Sequence, residues 1–448
     1  MLKRHRLDLL LCLLLTSSST LTAQEPFEEL DEWLAPLAAT RDLAGHLVVL
    51  RPGQPAFQQS WGKADLDQGL DNDGQTRFGV GSITKQFTAA ATLGLVAEGR
   101  LELDWALARW FPKAGVASAI TLEQLLGHRS GLVRDVPPGP SDDLATVAED
   151  IFREPLTGTP GESVEYSNSG YVVLAAVLER VTGQSFEALV SERLLAPLRL
   201  ESSGFRQGPR RRLPAIGYDP GFGPRKLQVT PAIAPRRNLG ASGLVTSAGD
   251  LARWTKALHE GGVLDEAELR RMTEDQGGGR GYGTGLYRRS GRPVIGHDGV
   301  ENGYVAFAEY YPESRTAVAF AGNVRTSAYE AVETGVGRLL AGRELPSLRR
   351  PATTEGARDP SLVGRYRVHP SLVLEVLDSP DGLQLMGTGG YPTPLERIEG
   401  DRWFYRALFA EVQFQRPAAS SPPKSLLWID VQGRRFEVPR DEDARPLR

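Results

Sequence analysis

The strand-like runs of this chain fall at two places far apart in the sequence, and that separation limits the possible folds more than any other feature. His46-Leu47-Val48-Val49-Leu50 and Ala56-Phe57-Gln58-Gln59-Ser60-Trp61 flank the turn Pro52-Gly53-Gln54. Pro293-Val294-Ile295-Gly296-His297, Tyr304 to Tyr311 and Thr316 to Ala321 come much later, and all are rich in β-branched and aromatic residues. The stretch between them is largely helical in pattern. This distribution predicts an α+β fold: one antiparallel sheet assembled from both ends of the segment, with a mostly helical insertion. Two helices complete it. Phe27 to Ala39 carries Phe27, Leu30, Trp33, Leu34 and Leu37 on one side, and a second helix runs from Ser327 to about Leu340.

Beyond this, Arg343 to Asp359 combines prolines, threonines and clustered arginines without apolar period and reads as a linker. Residues 360–448 then carry short alternating runs: Leu362 to Val368, Leu372 to Leu377, Leu383 to Met386, Trp403 to Tyr405, Val412 to Phe414, Leu426 to Ile429 and Phe436 to Val438. Regular spacing of this kind predicts a small antiparallel β-barrel or sandwich. With 448 residues and 40% apolar content the chain can bury two cores.

Residues 1–23 have a different character. Lys3, Arg4 and Arg6 precede the apolar Leu9 to Leu15, and Leu21-Thr22-Ala23 offers a small residue before a cut. This is the pattern of a secretory signal peptide cleaved after Ala23, leaving 24–342 as the main domain of a secreted or periplasmic protein with no stable membrane span. Cys12, the only cysteine, lies in that leader, so a processed chain has no disulfide, zinc thiolate or thiol nucleophile. The net charge of -4 gives no electrostatic footprint for nucleic acid.

Three short patterns carry chemistry. Ser82-Ile83-Thr84-Lys85 opens a long run of helix formers that stops at Gly99, so Ser82 and Lys85 share one helix face. The same spacing occurs at Ser60 to Lys63 and Ser421 to Lys424, but Gly62 and Pro422-Pro423 deny those copies a helix. Tyr166-Ser167-Asn168 precedes another helical run; two residues apart in an extended loop, Tyr166 and Asn168 can face one cleft. A phenolate is a competent base, and an ammonium such as that of Lys85 would stabilise it. The third pattern is Gly296-His297-Asp298-Gly299-Val300, where glycines allow the backbone to approach a ligand.

In this order the three motifs resemble the serine β-lactamase and penicillin-binding-protein-like family, in its class C β-lactamase, DD-peptidase and esterase branch (peptidase family S12-like). Leu125 to Leu132 (with His128), Gly240-Ala241-Ser242-Gly243-Leu244 and Tyr282-Gly283-Thr284-Gly285-Leu286 are similar to further family stretches. The resemblance implies that Ser82 is acylated, that Lys85 and Tyr166 share proton transfer, and that Asn168 bonds to Lys85 or the acyl group. It further implies an oxyanion hole made of the Ser82 and Val300 amides, a His297 that orients the tyrosine or assists its electrostatics, and no metal or cofactor. Which of Lys85 and Tyr166 is the base stays open, since coupled groups titrate together.

Many β-lactamases of the family have Lys-Thr-Gly or Lys-Ser-Gly at the third motif. Here it is His297-Asp298-Gly299, and with Asp298 and Gly299 lining the substrate site the aspartate would repel a substrate carboxylate. The expectation is therefore an esterase or D-amino-acid-specific peptidase acting on a small-molecule or peptide substrate, cell-wall-derived substrates included. A DD-carboxypeptidase or β-lactamase is the alternative within the enzymes. A non-catalytic β-lactam sensor or scaffold is the alternative outside them.

Overall fold

A computed structural model describes residues 27–205, 215–221, 225–231, 236–346, 348, 351–354, 357–369, 372–387, 392–419, 421–430 and 434–441. The expected leader, with Cys12, lies outside the described residues. Helix α1 (Glu28–Ala39) buries Leu30, Leu34 and Leu37 along one stripe, with Glu28, Glu29 and Asp31 at its positive N-terminal end. Strands β1 (Gly45–Leu50) and β2 (Phe57–Trp61) follow. The helical middle contains α2 (Thr84–Ala97), α3 (Asn168–Thr182) and α4 (Ala248–His259). Four more strands, β3 (Gly285–Arg289), β4 (Arg292–Glu301), β5 (Tyr304–Tyr311) and β6 (Thr316–Gly322), precede α5 (Tyr329–Leu340).

The strands form one antiparallel sheet in the order β3-β4-β5-β6-β1-β2, so the two ends of the segment meet where β1 pairs with β6, Val48 opposite Ala319. Every residue of β5 and β6 is buried, because the sheet is covered on both faces. Side-chain size separates those faces. Leu47, Val49, Phe307, Val318 and Phe320 pack with α1 and α5, whereas Val48, Ala306, Ala308, Ala319 and Ala321 face the helical body. The alanines leave room for α4 to lie close against β6 and β1. Strand β3 carries no apolar alternation and is not anticipated by the sequence reading. It pairs only with Arg292 to Gly296 of β4, so β4 has an open edge from His297 onward.

Helix α2 is the axis of the helical body: every residue from Thr84 to Leu93 is buried, and Phe87 stacks on Trp254 of α4 at 3.8 Å. Helix α3 is likewise buried from Ser169 to Leu178 and ends at Gly183, whose φ of 71° suits the left-handed cap.

Eight strands, β7 (Gly364–His369), β8 (Leu372–Ser379), β9 (Gly382–Gly387), β10 (Thr393–Glu399), β11 (Arg402–Tyr405), β12 (Ala410–Gln415), β13 (Ser425–Ile429) and β14 (Arg435–Pro439), pair in sequence order. A bridge between Tyr366 and Arg440 and the Asp441 N–H to Arg365 carbonyl bond of 2.8 Å draw the ends into a nearly closed barrel. The sequence reading misses β10, whose Thr-Pro-Leu-Glu-Arg-Ile-Glu has a proline and three charges. Tyr366, Leu374, Val376, Trp403, Val412 and Phe414 are among the side chains that fill the interior. Phe404 and Phe409 instead join the α1/α5 core, and they meet edge to face at 5.0 Å. The segment read as a linker is fastened at both ends: Trp33 Nε1 donates to the Pro346 carbonyl (2.6 Å) and Thr354 N to the Arg397 carbonyl (2.8 Å).

Candidate active site

Ser82 lies in a single 3-10 turn, Gly81–Ile83, that leads into α2; the tighter turn keeps Ser82 and Lys85 one above the other. Two bonds brace the turn from within the fold. Thr84 Oγ1 donates to the Gly81 carbonyl (2.7 Å) and accepts from Leu244 N (3.2 Å), which ties it to the Gly240-Ala241-Ser242-Gly243-Leu244 stretch. That stretch lies against α3 because Gly240, with φ 89°, lacks the Cβ that would meet the Tyr171 carbonyl at 2.5 Å.

Lys85 is completely buried. Its Nζ lies 3.1 Å from Ser82 Oγ, 2.8 Å from Asn168 Oδ1 and 2.9 Å from the Ala241 carbonyl oxygen. Burial holds its pKa well below the usual lysine value, Arg134 and Arg280 push the same way, and Asp298 and Asp135 oppose them. Asn168 opens α3, and its Nδ2 donates to Asp135 Oδ1 at 2.9 Å. A carboxylate only accepts, so Asp135 fixes the amide with its oxygen toward the lysine.

Tyr166, in the loop before α3, donates its hydroxyl to Ser82 Oγ at 2.8 Å. Burial pushes this phenol above its ordinary pKa, although the Ser82 bond and the two arginines favour the phenolate. His128 stacks on the ring with centroids 4.5 Å apart and accepts a hydrogen bond from Ser167 N through Nδ1 (3.1 Å). Burial first, and then the positive groups around it, hold the His128 pKa well below the ordinary histidine value. Ser167 caps α3 by accepting from Gly170 N at 3.0 Å. Tyr166 and Asn168 thus both reach the Ser82 cleft from either side of a capping residue.

His297 is buried on β4, its ring 6.2 Å from that of Tyr166. Nδ1 pairs with the Asp298 carbonyl, which can only accept, so Nδ1 carries the proton in the neutral ring. Burial lowers the His297 pKa to about 4, against an opposing pull from Asp298. Two glycines bring this strand to the nucleophile turn. A Cβ on Gly299 would lie 2.0 Å from the Val80 carbonyl oxygen, and one on Gly81, whose φ is 47°, would meet the backbone of Val300 at 2.9–3.1 Å. The backbones of Ser82 and Val300 are close neighbours for that reason.

Asp298 does not join this group. Strand alternation and the register of β4 on β5 place His297 opposite Ala308, on the helical-body face, and Asp298 opposite Phe307, on the α1/α5 face. Its carboxylate lines a cavity of about 950 Å³ with Trp33, Tyr329 and Phe404, across the sheet from Ser82. The expectation that Asp298 sits beside the substrate is corrected by that alternation.

His128, Asp135 and the Ala241 carbonyl carry no assigned role in the sequence reading. The first and last lie in the stretches noted for their resemblance, while Asp135, in a loop without periodicity, offers no sequence signal. Among the described residues, no group of three or more histidine, cysteine, aspartate or glutamate side chains is placed to hold a metal ion.

The family model described as Beta-lactamase matches residues 30–342. Protein flp of Staphylococcus aureus (strain MW2) is 26% identical over 305 residues, which cover 62% of this chain and 59% of that protein; the chain therefore matches about three fifths of that relative's length. Among solved structures, the D-amino acid amidase of Ochrobactrum anthropi SV3 superposes with a TM-score of 0.63 at 24% identity, covering 70% of this chain and 98% of that one. SurE superposes with a TM-score of 0.63 at 25% identity over 93% of this chain and 99% of its own.

Proposed function

This chain belongs to the beta-lactamase family, and we propose that it is a serine hydrolase that opens an ester or amide bond through an acyl-enzyme on Ser82. One observation carries the proposal: Lys85 Nζ at 3.1 Å and Tyr166 OH at 2.8 Å converge on the same Ser82 Oγ. A serine hydroxyl becomes a nucleophile when a base this close can take its proton.

The base is Lys85 in its neutral form. Two of its N–H positions are taken by Asn168 Oδ1 and the Ala241 carbonyl, which leaves the nitrogen lone pair for the Ser82 proton. Burial and the nearby arginines favour that neutral form. As Ser82 Oγ bonds to the substrate carbonyl carbon, its proton passes to Lys85 and the carbonyl electron pair moves onto oxygen. Amides of Ser82 and Val300 receive that oxyanion, each donor being worth about 3 kcal/mol. Collapse breaks the bond to the leaving group, which departs with a proton from the Lys85–Tyr166 pair. Water then attacks the Ser82 ester, gives a proton to the same pair, and releases the acid with Ser82 reprotonated.

Residues 24–342 would form the catalytic unit, and the leader pattern of residues 1–23 supports a reaction outside the cytoplasm. The substrate class is an ester or amide that includes D-amino-acid derivatives, supported by the likeness to a D-amino acid amidase and to SurE, which was also solved with D-Leu. Asp298 could repel a substrate carboxylate only if it faced Ser82. With Asp298 across the sheet, DD-carboxypeptidase and β-lactamase activities regain standing. The test is labelling of Ser82 by a fluorophosphonate, with one equivalent expected in the native protein and none in Ser82→Ala. Absence of labelling, together with no turnover of p-nitrophenyl esters, D-alanyl amides or nitrocefin, would leave the idle scaffold as the better reading.

A further inference from the structure

Asp298, turned away from Ser82, opens into the cavity of about 950 Å³ between the α1/α5 face of the sheet and the barrel. The aromatic walls come from both sides: Trp33 and Tyr329 belong to α1 and α5, Phe404 and Phe409 to the barrel. Tyr329 is nine-tenths buried, and its hydroxyl has no hydrogen-bond partner among the described residues. Burial, and then the charges of Asp298 and Glu330, push this phenol well above its ordinary pKa, so both carboxylates lie near it.

Many of the charges on the walls are already paired. Arg434 and Asp430 bond to each other (2.6 Å), Glu411 accepts from Arg402 (2.9 Å), and Arg289 is shared between Glu309 and Glu333. Unpaired charges stand at opposite ends. Asp298 has only a loose approach to His297 Nδ1 at 3.9 Å, and Glu330 joins it near the Tyr329 hydroxyl. Arg338 lies about two turns along α5 from Glu330, roughly 12 Å on the helix axis. It donates Nε to the Glu344 carbonyl (2.6 Å), and its terminal nitrogens have no partner among the described residues. The β3–β4 turn lies against the same end of α5, since a Cβ on Gly337 would meet Arg289 Cβ at 3.1 Å. Arg343, which has no ion-pair partner among the described residues, brings Nη2 to 3.5 Å from the Cβ position of Gly291 in that turn.

We propose that this cavity is a second ligand site, across the sheet from the Ser82 cleft, for a short peptide with free ends: its ammonium between Asp298 and Glu330, its carboxylate on Arg338 and Arg343. The lengths agree. An extended chain spans about 3.3–3.6 Å per residue, so three residues reach about 10 Å, the separation of the charged ends once the arginine side chains extend inward. Guanidinium planes present parallel N–H donors to a carboxylate, and an ammonium gains from aromatic faces as well as from the two acids. A central apolar side chain meets Trp33 and Phe404, and the Tyr329 hydroxyl is left for the peptide backbone. The site depends on the cavity alone and stands or falls apart from the hydrolase reading. Its occupant lies one residue along β4 from His297, on the opposite face of the sheet.

The test titrates L-Ala-L-Phe-L-Ala, its N-acetyl form and its C-terminal amide by calorimetry into the full chain carrying Ser82→Ala, so that binding does not depend on turnover. At low salt the free-ended peptide is expected to bind about tenfold tighter than either blocked form, with both preferences shrinking as ionic strength rises. Asp298→Asn with Glu330→Gln should erase the preference over the N-acetyl form and leave the other in place. Arg338→Gln with Arg343→Gln should do the reverse. No binding, equal binding of all three peptides, or preferences that survive both pairs of replacements would overturn the site; the last result would put the peptide in the Ser82 cleft instead.

Discussion

Arg406, on the connection from β11 to β12 of the barrel, forms an ion pair with Asp42, just before β1 of the sheet, and neither side chain exposes any surface. The same guanidinium donates to the carbonyls of Lys226, Thr40 and Arg41, so the barrel is keyed into the sheet domain by a desolvated charge. Removing one partner leaves the other buried without its counter-charge. Arg406→Met is therefore expected to destabilise the folded protein by about 3–5 kcal/mol, with Asp42→Asn in the same chain restoring part of the loss. Chemical denaturation of the two variants and the native protein measures this; equal stability of Arg406→Met and the native protein would mean that the pair adds nothing.

Activity should follow the neutral form of Lys85. Since the lysine pKa is depressed, the acid limb of the kcat/KM profile is expected below the ordinary lysine range of about 10.4. Arg280→Gln removes a positive neighbour and should move that limb to higher pH, and Asp135→Asn should move it lower. Stability has its own window. His297 is neutral in the fold with a pKa near 4 and titrates at 6.5 when unfolded, so its contribution is fully present above pH 6.5 and lost as pH falls toward 4. His128, also depressed, acts in the same direction. A thermal midpoint that rises on acidification across this interval would contradict both assignments.

Adjacent residues of β4 should respond unequally. Gly299→Ala places a Cβ 2.0 Å from the Val80 carbonyl, which must push the Ser82 turn away from Val300. Loss of an oxyanion donor corresponds to about 10²–10³ in kcat. Asp298→Thr changes a side chain on the far face, and acylation by penicillins should stay within about twofold, the ordinary scatter of a remote substitution. Stopped-flow acylation rates distinguish the two.

Much of the fold is local in origin and so was open to sequence reasoning. The runs that became β1, β5 and β6 carry enough strand-forming side chains to identify themselves, and the helix after Ser82 is marked by its composition and by Gly99. Strand β3 and barrel strand β10 lack such marks: they are strands because neighbours supply their hydrogen bonds, against charge and proline in their own sequences. The partners of Lys85 divide in the same way. Ser82 stands three residues from it and shares a helix face, but Asn168 and the Ala241 carbonyl lie 83 and 156 residues away.

The sequence by itself determined which chemistry-bearing groups the chain offers and in what order they come: a serine with a lysine one turn on, a tyrosine two residues from an asparagine, and a histidine two residues from a glycine. Those spacings are set by helix and strand periods, which are properties of the backbone. Tertiary structure alone decided what surrounds them. Asp298 faces away because the register of β4 on β5, fixed by buried faces of unequal size, assigns alternate residues to opposite sides. Arg280 stands over Tyr166 because Asp275 Oδ1, accepting from the backbone N–H groups of Gly277, Gly279 and Arg280, shapes a loop far from it in sequence. Lys85 loses its proton readily because burial, which no local window of residues encodes, makes its charge costly.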